Sequence, residues 1–443
     1  MEASDVLSEI SEKQVEFVQL WFTDLGGQMK GFMVPENEMK KGFEEGFGFD
    51  GSSIEGFSRI QESDMIALPD PDTFRLLPWT SENPEEPPVA MMFCDIKDID
   101  GTPYGCDPRY ILKRALSRAR EMGFDDFFVG PEIEFFYFES SEDTEFLDQG
   151  GYFDHTALNR ANSLRKQTIK ALERMGMEVP YSHHEVAPSQ HEINLRHADA
   201  LTMADMCIAY KYVVKEVASR NDVYATFMPK PVEGENGSGM HTHQSLFQGG
   251  SNAFFDSDGT FHLSETAEHY TAGILKHIRE MAAVTNQWPN SYKRLVPGYE
   301  APVYLSWGQR NRSALVRVPA YQEGQEAATR IELRNPDPAC NPYLAFASML
   351  HAGLDGIEQG DQLEDPTSEN IYEMTLDERR EAGIHSLPGS LGEAINYFEQ
   401  SDFMKRVFGE EAFENYVREK RFIWDQHRQH VSDHELENYL PVL

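Results

Sequence analysis

Glu132 and Glu134 interrupt a run that otherwise reads as a buried strand, Phe127-Phe128-Val129-Gly130-Pro131-Glu132-Ile133-Glu134-Phe135-Phe136-Tyr137-Phe138. At i and i+2 they share one face. Burying an ionised carboxylate is costly unless it is paired or metal-bound, and two like charges side by side push one pKa upward. A divalent cation removes both difficulties; a strand edge facing solvent is the plainer alternative. Two further segments weigh on the choice. In His183-His184-Glu185-Val186-Ala187-Pro188-Ser189-Gln190-His191-Glu192, carboxylates bracket a loop that enters a strand expected at Ile193–Arg196. In Arg330-Ile331-Glu332-Leu333-Arg334, charged and apolar residues alternate strictly, so one face carries Arg, Glu and Arg. A half-exposed strand would look the same.

The most specific local motif is Lys230-Pro231-Val232-Glu233-Gly234-Glu235-Asn236-Gly237-Ser238-Gly239-Met240-His241-Thr242-His243-Gln244-Ser245. Gly237 and Gly239 let backbone approach a ligand closely. His241 and His243, again at i and i+2, can point into one site. A lone His is more often structural than a ligand; two directly after a Gly-rich turn favour the functional reading. Basic residues gather in Lys293-Arg294-Leu295-Val296-Pro297-Gly298-Tyr299-Glu300-Ala301-Pro302, then at Arg310, Arg312 and Arg317. Arginine forks bind carboxylates and phosphates bidentately, although interdomain salt bridging would use the same residues. Hard oxygen ligands in excess over His, with no Cys, select Mg²⁺ or Mn²⁺ rather than Zn²⁺. Metals, arginines and Gly-rich loops without a Walker A sequence point to phosphoryl transfer on a scaffold other than a P-loop. That argument names no substrate.

The elements that must position these residues can be read coarsely. Short apolar runs at 17–22, 31–34 and 89–95 predict strands, the first two separated by the turn signal Asp24-Leu25-Gly26-Gly27. Asp107-Pro108 reads as an N-cap followed by proline at the first helical position, and a boundary falls near Gly105. Beyond it, helical patterns fit 109–122, 162–175, 200–220, 266–285, 342–359 and 410–429. Strand-like runs fit 126–137, 193–196, 240–246, 304–307 and 329–334. The expected fold is α+β: a small N-terminal β-grasp-like domain over 1–105 and a large catalytic α/β domain over 106–443, its sheet backed by helices.

Composition bounds the function. With 443 residues, 40% apolar and 12% aromatic, the chain can bury a large core. A net charge of -36 repels nucleic acid and anionic membranes, so neither is expected as a partner. The charge suits solubility and raises the expectation of a salty cytoplasm. Cys94, Cys106, Cys207 and Cys340 form no CxxC pair, which fits a reducing compartment. The acidic start MEASDVLSEISEKQ is no signal peptide, and no apolar run reaches the ~18 residues of a membrane span. The expected location is cytoplasmic.

Taken together, FDGSS, GPEIEFF, HHEVAPSQHE, KPxxxxNGSGMH, KRLVPGYEAP, RNRSALVR, RIELR and NPDPACNPY resemble type I glutamine synthetase, in the family's order and across essentially the whole chain. The resemblance implies ATP-dependent ligation of ammonia to the γ-carboxylate of L-glutamate through γ-glutamyl phosphate, giving glutamine, ADP and phosphate. One metal site would be Glu134, Glu185 and Glu192; the other Glu132, His241 and Glu332. Two or three Mg²⁺ (or Mn²⁺) ions per site would be held, with ATP as substrate. Five carboxylates against two dications leave about one negative charge for a third ion and the arginines to balance. Glutamate would be held by Asn236, Gly237, Arg294 and Arg334, and the nucleotide by His243 and Ser245. Arg312 and Arg317 would stabilise the transferring phosphoryl group. Ammonium would sit near Asp50, Ser53, Tyr152 and Glu185, with Asp50 taking its proton. Glu300 would close the site against water.

The family places Asp50 in a neighbouring subunit, so the expected partner is the chain itself, as a dodecamer of two stacked hexameric rings; nitrogen-regulatory proteins are further expected partners. Arg59, in GFSRIQESD, resembles the glutamine-sensing arginine of the α subgroup. Tyr372, in ENIYEMTLDER, falls where the β subgroup is adenylylated, but its surroundings depart from NLYDLPPEE, and no adenylylation is expected. Pro180 replaces a glutamate usual near ATP, with Glu178 two residues away, which puts that nucleotide contact in doubt. Two rival readings are a ligase for a larger amine and a non-catalytic paralog. Retention of Asp50, Ser53 and Tyr152 speaks against the first. Retention of all six metal ligands speaks against the second.

Overall fold

A computed structural model describes residues 1–52, 54, 64–81, 87–155, 160–299, 301–311, 313–367 and 371–443. Two sheets carry the chain. The first holds β1 (Phe17–Thr23), β2 (Met29–Pro35), β3 (Phe47–Asp50), β4 (Asp64–Pro69), β5 (Arg75–Leu76) and β6 (Val89–Asp98). Its order is β2-β1-β6-β4-β3, with β5 also on β6. β1 and β6 run parallel and every other pair is antiparallel. Alternation in β1 sends Val18 and Leu20 fully into the core.

The second sheet holds β7 (Asp126–Phe138), β8 (Tyr181–His184), β9 (Gln190–Asn194), β10 (Ala198–Asp199), β11 (Tyr224–Thr226), β12 (Met240–Gln248), β13 (Ser251–Asn252), β14 (Tyr304–Gln309), β15 (Ala314–Val318) and β16 (Ile331–Leu333). The main path is β14-β15-β16-β12-β7-β9-β8, with β7 near its centre. Helices Pro108–Glu121 and Ala200–Ser219 pack on β7. Ile133 and Phe135 point to that layer, where Phe135 meets the Tyr210 ring. The pleat therefore turns Glu132 and Glu134 to the opposite face.

The six helices expected from periodicity all form, with ends within one residue or so. Two strands differ from expectation. The strand placed at 193–196 runs Gln190–Asn194, so Glu192 lies within a strand rather than in the loop before it. The strand placed at 329–334 is the shorter Ile331–Leu333, and Glu332 is wholly buried, not half-exposed. Helices Ala3–Glu12, Met39–Glu45, Leu391–Glu399 and Asp402–Phe408 were not anticipated.

The two sheets are fastened by buried polar groups. The Asp24–Gly27 turn closes with Gly27 at φ +80, and Asn341 Nδ2 donates to the Asp24 and Leu25 carbonyls. Arg109, two residues after the Asp107 cap, donates to Asp70 just after β4 (2.7 Å), to Asp95 of β6 (2.5 Å) and to Asp205 (3.0 and 3.1 Å) of the helical layer. All four cysteines are buried and unpaired.

Candidate active site

Strand register lays the polar residues in one stripe across the second sheet. Arg317 of β15 stands opposite Glu332 of β16, which stands opposite His243 of β12. His241 of β12 faces Glu132 of β7, and Glu134 of β7 faces Glu192 of β9, which faces His183 of β8. Glu185 follows β8 directly. All of these except His243, together with Tyr152, Asn236, Gly237, Arg294 and Arg334, line one cleft of ≈ 900 Å³.

Carboxylates in this cleft outnumber their partners. Glu332 is fully buried, yet neither of its oxygens has a hydrogen bond of good geometry among the described residues, although Arg317 Nε lies at 2.5 Å and Arg334 Nε at 3.3 Å. His241 Nδ1 is 3.5 Å from both Glu132 Oε2 and Glu332 Oε1. That is too long for hydrogen bonds and close to the spacing of about 3 Å between ligands on one octahedral Mg²⁺. Burial lowers the His241 pKa, which keeps the imidazole neutral as a ligand must be. Glu132, His241 and Glu332 thus fit one cation.

On the other side of β7, burial pushes the pKa values of Glu134 and Glu192 well up, reinforced by repulsion from Glu185 and Glu132 for Glu134 and from Glu132, Glu134 and Glu185 for Glu192. A dication would reverse that cost. Glu185 and Glu192 share a tight cluster with His183, whose Nε2 lies 2.7 Å from Glu185 Oε1. Glu134 stands apart from that cluster because its Oε2 accepts from Gly239 N (2.8 Å) and Gln190 Nε2 (3.0 Å), leaving Oε1 for the cleft.

The Gly-rich turn explains itself by crowding. A Cβ on Gly237 would lie 2.4 Å from the Pro229 carbonyl, and one on Gly239 2.6 Å from Arg294 Nη2. Arg294 is buried and donates to the carbonyls of Arg334, Asn335 and Pro336. It therefore fixes the backbone that presents Arg334 while lining the cleft itself.

His243 and Ser245 open onto a second hollow, which shares Glu132 and Tyr181 with the first. Arg330 Nε can only donate, so His243 Nδ1 accepts its bond (3.2 Å) and His243 Nε2–H points at Glu132 Oε1, 3.1 Å away. Pro180 lines this hollow, whereas the Glu178 carboxylate is taken by Arg196 at 2.5 Å.

Asp50 does not join the cleft of its own chain. It ends β3, is exposed, and accepts from Ser52 N at 2.9 Å. Tyr152 does join it, packed edge-on against His183. Ser53, Arg59, Glu300 and Arg312 lie outside the described residues. Tyr372 is partly buried and its hydroxyl donates to the Ala301 carbonyl at 2.8 Å. The sequence assigns no role to Arg330, to Gln190 or to a buried cluster of Asp148, His184 and His191 behind the Glu185 turn. The histidines of HHEVAPSQHE were a visible signal; Asp148, in an unremarkable acidic loop, was not.

Comparison with known proteins covers the whole chain. The family described as glutamine synthetase, catalytic domain, matches residues 105–439, and that described as glutamine synthetase, beta-Grasp domain, matches residues 14–99. The glutamine synthetase of Methanosarcina mazei is 50% identical over 99% of this chain and 98% of its own. That of Mycolicibacterium smegmatis is 49% identical over the same shares. Among solved structures, Plasmodium falciparum glutamine synthetase superposes with a TM-score of 0.88 at 28% identity, and a GmaS/ADP complex with 0.89 at 32%, each covering 99% of both chains. A small mixed sheet, a large sheet bearing the acidic cleft and full-length similarity lead to one conclusion: the chain belongs to the glutamine synthetase family.

Proposed function

We propose that the cleft of this chain makes L-glutamine from L-glutamate and ammonia with cleavage of ATP to ADP and phosphate, using the residues gathered on the second sheet. The observation that carries the assignment of roles is the stripe from Arg317 to Glu185, which concentrates five glutamates, His241 and Arg317 in one cleft beside Arg294 and Arg334. Glu132, His241 and Glu332 would hold one divalent cation and Glu134, Glu185 and Glu192 another, and Mg²⁺ or Mn²⁺ there would neutralise charge on the transferring phosphoryl group. Arg334, Asn236 and the Gly237 backbone hold the glutamate, with Arg294 bracing them. His243 and Ser245 face the nucleotide.

In the first half, a γ-carboxylate oxygen attacks the terminal phosphorus and ADP leaves. Arg317 and Arg312 offset the charge on the phosphoryl oxygens. In the second half, ammonium sits against Tyr152, Ser53 and Glu185. Asp50 of a neighbouring subunit takes its proton, nitrogen attacks the acyl carbon, the C–O pair departs with phosphate, and the second proton shed by the new amide nitrogen goes to the departing phosphate. Glu300 excludes water, which would otherwise hydrolyse the acyl phosphate.

The shared site supports a dodecamer of two hexameric rings. Asp50 is exposed and lies outside its own cleft, and the C-terminal segment leaves Leu440 74% and Val442 75% exposed in the single chain. Unpaired cysteines support a cytoplasmic location, and no helix among the described residues is long and apolar enough to cross a membrane. Arg59 is assigned to glutamine feedback, and Tyr372 is expected to stay unmodified, its hydroxyl already bonded.

The test is phosphate release by purified protein with ATP, glutamate and ammonia, run beside hydroxylamine and polyamines, with Asp50→Ala as control. Ammonia-dependent release that Asp50→Ala abolishes is the expected result. Faster turnover with a polyamine than with ammonia would overturn the substrate assignment.

A further inference from the structure

We propose that Asp148 is a positioning residue for the ammonia half of this reaction, holding the turn that carries Glu185 against the turn that carries Tyr152. The inference rests on the reading above and goes beyond it, because Asp148 touches neither substrate nor cleft. Its carboxylate is 5% exposed. Oδ1 faces three N–H groups from three places: His184 Nε2 at 2.7 Å, Gly150 N at 3.1 Å and Ser189 N at 3.3 Å. Oδ2 lies 3.3 Å from His191 Nε2.

The three contacts at Oδ1 each fix something the site uses; Oδ2 and His191 Nε2 form no well-directed hydrogen bond. The Glu185 carbonyl can only accept, so His184 Nδ1–H donates to it at 2.7 Å. His184 is thereby pinned at both nitrogens, and the backbone of Glu185 with it. Ser189 sits at φ +60, a left-handed conformation that a non-glycine residue holds only when its surroundings demand it. Its Oγ accepts from Asp148 N (2.9 Å) and donates to the Asp148 carbonyl (3.2 Å). That locks the corner between Glu185 and Glu192. On the other side, the Gly150 contact starts the turn bearing Tyr152, and Phe153 N donates to the His184 carbonyl at 3.0 Å. One carboxylate therefore sets the distance between two groups assigned to the ammonium pocket. Asn236, Arg294 and Arg334, which hold glutamate, come from segments Asp148 does not contact.

The same three side chains, Asp148, His184 and His191, are close enough to be weighed as a metal site. Arg165 argues against it. Its Nη1 lies 3.4 Å from His191 Nδ1 and can only donate, so His191 keeps its proton on Nε2, facing Asp148.

The experiment compares Asp148→Asn, which keeps shape and one acceptor oxygen, with the unaltered enzyme. Expected is an ammonium KM raised about ten-fold or more with kcat lowered, as for loss of other groups that orient a ligand. The KM values for glutamate and ATP should stay within about two-fold. Ser189→Ala, which removes the reciprocal bonds to the Asp148 main chain, should shift the ammonium KM the same way by less, and it carries the test if Asp148→Asn does not fold. An unchanged ammonium KM, or three KM values rising together, overturns the proposal. So does a chelation-resistant metal, found by elemental analysis in the unaltered protein and lost in Asp148→Asn. An unaltered enzyme without ammonia-dependent turnover would overturn the reading underneath instead.

Discussion

Glu332 concentrates the electrostatic problem of this protein in a single side chain. It is fully buried, it lies beside two arginines, and neither oxygen finds a well-directed hydrogen bond among the described residues. A buried carboxylate in that condition is a cost to the fold until a cation reaches it. Glu332→Gln should therefore separate metal binding from folding. Adding Mg²⁺ or Mn²⁺ to the chelated native protein at about 100-fold the dissociation constant should add about 2.7 kcal/mol of stability for each site filled. In the variant the share owed to the Glu132, His241 and Glu332 site should vanish while that of the Glu134, Glu185 and Glu192 site remains, together with a loss of about 10²-fold or more of kcat/KM. Thermal unfolding with and without chelator reads the first effect and phosphate release the second. Equal metal stabilisation of both proteins would remove Glu332 from the cation site.

At the scale of elements, much of the machinery was legible because it obeys period two. Glu132 with Glu134 and His241 with His243 sit at i and i+2 on strands whose apolar partners, Ile133 and Phe135, face the helical layer. Helices with clear caps, such as the one after Asp107-Pro108, were placed almost to the residue. Legibility failed where tertiary contacts decide. Glu192 was put in a loop because Gln190 and His191 are polar, yet both are buried within β9 by contacts from distant segments. Little local marks Asp148 either, since apart from Gly150 its hydrogen-bond partners lie some forty residues on. Gly239 illustrates the intermediate case: sequence suggested a close approach, and structure names the object. An added Cβ would lie 2.6 Å from Arg294 Nη2 and 3.1 Å from His241 Nε2. Gly239→Ala should thus displace the brace behind Arg334, raising the KM for glutamate while costing about 1–3 kcal/mol from overpacking. Urea unfolding and glutamate titration measure the two. A variant with unchanged glutamate KM would show that Arg294 tolerates displacement.

The whole molecule poses a question that no single chain answers. Every cleft-lining group assigned to metals, glutamate and phosphoryl transfer that is described comes from the second sheet and the segments around it, whereas Asp50 ends a strand of the first sheet and is exposed outside that cleft. If Asp50 serves a neighbour, catalysis is a property of an interface, and closed symmetry repeats that interface around a ring. Two inactive proteins would then contain all the parts of an active one. Asp50→Ala keeps an intact cleft but offers nothing to its neighbour; Glu332→Gln offers Asp50 but has a broken cleft. Dissociated, mixed in equal amounts and reassembled at random, they should regain about a quarter of native activity, the fraction of interfaces that pair an intact cleft with an intact Asp50. Either protein reassembled alone should stay inactive, which controls for reversion and contamination. Sites completed within one chain would instead give mixtures as inactive as their components, because no chain would hold both groups. Native gels of the mixture, showing full assembly, would make that negative result decisive against a shared site.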